Sequence, residues 1–137
     1  MIVKRMQMLL AVVSVLMIPL VGPISATAQD APLSIARLEI CTGVENREPV
    51  GSADSFAAET GIVYCFLEAR DIPAETTVSF VWFHGDMEVA RVPVRIGQSS
   101  RWRTFSSKQL AGRIGGWRVE IQDGQNAVLG TTSFTVN

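Results

Sequence analysis

Beyond Asp30, apolar and polar residues alternate with a period of two through most of the chain, which favours half-buried strands over helices. Ala36, Leu38 and Ile40 point one way while Arg37 and Glu39 point the other. Residues 62–67 are apolar on both faces, as expected of a central strand. Further strands are expected over 77–83, with Val78, Phe80 and Trp82 on one face, and over 87–96, with Ala90, Val92, Val94 and Ile96 inward. Pro93 cannot donate to a ladder, so that fourth strand belongs at an edge or a bulge. Strands over 101–105, 117–122 and 127–136 complete a set of seven. Residues 42–60 carry Gly43, Pro49 and Gly51 and read as an irregular loop, and residues 107–112 have room for one helical turn. His84-Gly85-Asp86 and Asp123-Gly124 are turn sequences. About seven short strands punctuated by turns predict an all-β, immunoglobulin-like antiparallel β-sandwich, with a small closed β-barrel as the alternative. Trp82, Trp102 and Trp117 are the expected core aromatics.

The first 28 residues do not fit that pattern. Lys4 and Arg5 precede an apolar run over residues 8–21, then Gly22, Pro23 and the small-residue end Ala26-Thr27-Ala28. These are the parts of a cleaved secretory signal, and the apolar run is shorter than the roughly 20 residues that span a bilayer. The alternative is an uncleaved anchor. No Cys follows the expected cleavage point, which argues against a lipid anchor. The expected division is a signal peptide over 1–28 and one β-sandwich domain over 29–137, periplasmic or secreted, with no membrane span in the mature chain.

Export bears on the cysteines, of which there are two. An even count in an oxidising compartment predicts a disulfide between Cys41 and Cys65. Closing that loop is worth about 3.5 kcal/mol on a chain-entropy model. Such a bridge would join the first two strands, unlike the bridge that pins the sheets together in antibody domains. Two buried thiols are the other reading. No metal site is expected, because neither thiol has a second thiol or a nearby His to complete a ligand set.

Signals for catalysis are sparse. His84 is the only histidine, and its turn position has a backbone explanation. No nucleophile motif or phosphate-binding loop accompanies it, so no catalytic residue and no cofactor are assigned. An enzyme would have to combine His84 and Asp86 with a hydroxyl from Ser106 or Ser107. The formal charge of −1 gives no reason to expect a nucleic-acid partner.

Charge order says more than the total. Residues 29–90 hold three Arg and eleven acids, whereas residues 91–118 hold seven cations and no acid. Within the basic stretch, Arg101, Arg103, Ser106, Ser107 and Lys108, joined by Arg118 from the next strand, form a candidate surface for an anionic partner. That partner would be an anionic envelope polymer or a membrane protein. Against this stands simple cross-strand pairing with the acidic half of the chain, and a corner built by the two serines.

With Cys41-Thr42-Gly43-Val44, Arg47-Glu48-Pro49, Val63-Tyr64-Cys65-Phe66, Val81-Trp82, the segment from Arg101 to Lys108, and Gly116-Trp117-Arg118-Val119, the chain resembles domain-of-unknown-function family 2914 over essentially the whole mature domain. Where many members carry a His just before the strand-three Trp, this chain has Phe80 and Val81. The resemblance implies a small envelope β-sandwich, free-standing or attached to membrane proteins, and no assigned activity.

Overall fold

A computed structural model describes residues 33–137. The expected signal peptide and its cleavage point lie outside the described residues. Ten strands follow in order: β1 (Ser34–Cys41), β2 (Gly43–Glu45), β3 (Glu48–Val50), β4 (Ser55–Phe56), β5 (Ile62–Ile72), β6 (Thr76–His84), β7 (Met87–Ile96), β8 (Ser99–Gln109), β9 (Gly115–Gln122) and β10 (Val128–Val136). The only helical piece among the described residues is a 3₁₀ turn at Ala58–Thr60. One sheet has three strands in the order β1-β5-β8, the other five in the order β4-β10-β9-β6-β7, and β2 pairs with β3 as a separate hairpin. The sheets face each other without closing, so the arrangement is the immunoglobulin-like sandwich and not the barrel.

Alternation sets the core. Val63, Cys65, Leu67 and Ala69 of β5 face Val78, Phe80 and Trp82 of β6 and Trp117, Val119 and Ile121 of β9. Phe134 gathers the aromatics, stacked on Trp117 at 5.8 Å and edge-on to Trp82 at 6.4 Å and to Phe56 at 5.9 Å. One polar contact crosses the core: Trp82 Nε1 donates to Ser106 Oγ at 3.3 Å, tying β6 of one sheet to β8 of the other. Ser106 is therefore a buried brace rather than part of an exposed surface.

Several expectations change. Residues 42–60 contain an ordered hairpin, whose two-residue loop Asn46-Arg47 has both φ angles positive, at 50° and 61°, as a type I′ turn requires. β8 continues as strand to Gln109 because Gln109 pairs with Ile62, which removes the expected helical turn. A bulge between Ile35 and Arg37 packs Ile35, in place of Ala36, against the core. Trp82 and Trp117 are core residues as expected, but Trp102 is 37% exposed. It sits on the inward face of β8, but β8 is an edge, so its ring lies over Gly97 with one side uncovered. β7 is an edge strand, as Pro93 requires.

Ser106→Ala should leave the Trp82 N–H without an acceptor in the core and cost about 1–3 kcal/mol. Urea denaturation should show a lower midpoint at unchanged slope, and an unchanged midpoint would refute the brace.

Candidate functional site

The outward face of β5 is where the sequence motifs meet. Phe66 and Glu68 point away from the core, yet each is only 1% exposed. Their cover comes from β1, β8 and the β2–β3 hairpin. Register places Arg37 opposite Glu68 on one side and Arg103 opposite it on the other, with Arg101 opposite Arg70. Arg101 Nε donates to Glu68 at 2.8 Å, and Arg70 donates to the same carboxylate at 3.2 Å. From the hairpin, Glu48 accepts from Arg103 at 2.7 Å and from Arg37 at 2.8 Å. Arg37 also pairs with Glu39 at 2.9 Å and lies 5.1 Å from the centre of the Phe66 ring.

Arg101 also approaches Glu48 at 3.8 Å, so four guanidiniums and three carboxylates form one connected lattice. Burial alone would push the Glu68 carboxyl up, but the hydrogen bonds and charges of Arg101 and Arg70 outweigh it and hold the group below the usual glutamate value. Glu48 is held low chiefly by its hydrogen bond from Arg37, with Arg103 adding to the effect.

This lattice corrects the expected anionic-partner surface. Arg101 and Arg103 are answered internally by Glu68 and Glu48. Arg118 is on the other sheet, paired with Glu120 at 3.2 Å and stacked 4.1 Å from the Phe83 ring centre. Ser106 points into the core, Ser107 lies on the outward face, and Lys108 donates to the Gln109 carbonyl. The six residues do not share a face. Charge order hid this because Glu48 and Glu68 lie 55 and 33 residues away from their arginines.

The expected disulfide is also corrected. Cys41 and Cys65 are both free and buried. Ile40, not Cys41, stands opposite Cys65, while Cys41 stands opposite Tyr64. One residue of offset sends the two side chains to opposite faces of the sheet. Cys65 enters the core, and the Cys41 thiol donates to the Tyr64 carbonyl at 3.7 Å. Burial pushes both thiols up, which disfavours the reactive thiolate.

The residues of the enzyme alternative are not assembled. His84 shares a 2.8 Å hydrogen bond with the Ile114 carbonyl through Nε2 and packs on Trp117. Asp86 borders an open depression of about 670 Å³ with Asp54, Arg118 and Ser133, but His84, Ser106 and Ser107 do not line it. No cluster of His, Cys, Asp and Glu suited to a metal is present among the described residues. No helix among them is long and apolar enough to cross a membrane.

Fold and site together define an immunoglobulin-like sandwich carrying a connected arginine–glutamate lattice on its smaller sheet. Residues 75–136 match the model of the family described as protein of unknown function, DUF2914. That stretch holds β6 to β10, and the Cys41 and Val63 motifs lie outside it. A mutant β-glucosidase from Listeria innocua, crystallised with laminaribiose, is similar at 8% identity and a TM-score of 0.49, covering 77% of this chain and 16% of that one. An immunoglobulin-like protein from Pseudomonas aeruginosa is similar at 13% identity and a TM-score of 0.44, covering 79% of this chain and 94% of that one. No curated protein matches the sequence.

Two outcomes follow. The stabilisation from Glu68 and Glu48 should be complete above the unfolded glutamate value of about 4.3 and fall away as pH drops through their lower folded values. At neutral pH, Glu68→Gln should cost about 1–3 kcal/mol, less than a fully buried pair because both guanidiniums are half exposed, and the difference should close in acid. Thermal melts from pH 7 to pH 3 measure both, and a pH-independent difference would refute the assignment. Thiol titration should find two slow groups in the native protein and two fast ones in denaturant, whereas a bridged form would titrate none.

Proposed function

We propose that the chain is exported through its N-terminal leader and acts at the bacterial cell envelope as a non-catalytic interaction domain whose partner is a protein. The leader supports export: a basic flank, an apolar run and an Ala-Thr-Ala end. One observation carries the choice of partner class. The arginines best placed to hold an anion, Arg101, Arg103 and Arg118, already face Glu68, Glu48 and Glu120. A surface neutralised this way has little field left to attract a polyanion. The separation of His84, Ser106 and Ser107 favours a non-catalytic role.

Protein recovered from the native host should begin at Gln29 and fractionate with the periplasm or medium, whereas an intact Met1 on membranes would contradict export. On anionic envelope polymer, the wild type and the Arg101→Ala, Arg103→Ala double variant should be retained equally and weakly. Strong, salt-sensitive retention of the wild type alone would return the role to the arginines.

A further inference from the structure

The outer edge of β8 is the least protected strand edge among the described residues. Each of the two sandwich sheets has two edges, and three of those four are blunted. β7 carries Pro93 and opposes a register shift at Trp82/Phe83. β4 is two residues long. β1 is bulged after Ile35 and approached so closely by β10 that a side-chain carbon at Gly130 would lie 2.8 Å from Ile35. β8 has none of these devices. It runs for eleven residues, contains no Pro and no positive φ, and keeps a single register against β5 from Gln109 to Ser99. Two large rings are exposed along it, Trp102 at 37% and Phe105 at 47%. The Ser99 hydroxyl occupies the Arg101 N–H and carbonyl at 3.0 and 2.6 Å, so the edge offered to another strand is centred further along, around Phe105.

We infer that β8 pairs antiparallel with β8 of a second copy of this chain, about a two-fold axis at Phe105. This goes beyond the interaction role proposed above and does not rest on it. A second copy fits this edge in a register free of opposed cations, and the ring pair at the axis favours Phe105 over Thr104, where each Phe105 would face Arg103 instead. A two-fold perpendicular to the sheet keeps each residue on its own face, so it pairs only positions of equal parity. An axis at Arg103 would set that arginine against itself, and one at Trp102 would set Arg101 against Arg103. An axis at Phe105 sets Arg103 against Ser107 and Arg101 against Gln109 on the outward face. On the inward face it sets Thr104 against Ser106 and the Lys108 amine against the exposed Trp102 ring. The two Phe105 rings meet at the axis, within the reach of a directly opposed cross-strand pair. The three-stranded sheets then join into one six-stranded sheet.

Light scattering on the full mature chain should show the mass doubling as concentration rises. Phe105→Lys places like charges on the axis and should hold the protein monomeric with its circular dichroism unchanged. Phe105→Glu should behave in the same way alone. An equimolar mixture of the two should regain the doubled mass, because the axial pair is then Lys against Glu. Phe105→Cys should cross-link to itself on oxidation, while Thr104→Cys, on the inward face and off the axis, should not. A wild type that stays monomeric at every concentration overturns the proposal. So does a dimer indifferent to Phe105→Lys, a mixture that fails to re-associate, or cross-linking through Thr104→Cys in place of Phe105→Cys. Failure here leaves the envelope role standing, since that role is read from retention and fractionation of the wild type.

Discussion

A strand buried on both sides in a sheet only three strands wide must find cover for its outer face, and most of the smaller sheet follows from that demand. β5 buries Phe66 and Glu68 away from the core. The phenyl ring requires an apolar or cationic lid, and the carboxylate requires donors, because an unpaired buried charge costs several kcal/mol. Arg37 supplies the first, and Arg70 and Arg101 supply the second. The β2–β3 hairpin then brings in Glu48, which neutralises the arginines that the carboxylate and ring have drawn in. The larger sheet repeats the device more lightly: Arg91 bonds Gln122 and Glu88, and Arg118 lies on Phe83 while bonding Glu120.

Much of the architecture was legible because its physics is local. Residues 87–96 alternate cleanly between His84-Gly85-Asp86 and Gly97, so β7 has the bounds that alternation predicts. Gly85, at a φ of 59°, provides the left-handed position that its tight turn needs. The hairpin was missed for the opposite reason. Its turn places Asn46 and Arg47 where Asn-Gly is the familiar pair, and Pro49 within three-residue strands looks like loop. The extension of β8 was hidden because Ser106, Ser107 and Lys108 show no alternation of their own, and only pairing with β5 keeps them extended.

The site was legible in composition and illegible in arrangement. That Arg101 and Arg103 share a face follows from a period of two. That their partners are Glu68 and Glu48 depends on a register between strands far apart in sequence, and on a hairpin that alternation does not reveal. The cysteine pair shows how sharp this dependence is. The two cysteines do lie on neighbouring strands, and an offset of one position still places their thiols on opposite faces.

The route of the chain between the sheets has a consequence for where this domain can be cut. β8 leaves β7 through Gly97 and Gln98, crosses to the other sheet, and finds its hydrogen-bonding neighbour in β5. The stretch that carries the family likeness therefore contains β8 but not the strand that β8 needs. Expressed by itself, it would leave β8 with no ladder and the inner faces of Phe80, Trp82 and Val119 open to water. The two halves of the sequence are not modules that evolution or an experimenter could shuffle separately. They form one cooperative unit, stitched across its middle where Gly97 and Gln98 carry the chain from the border of one sheet to the border of the other.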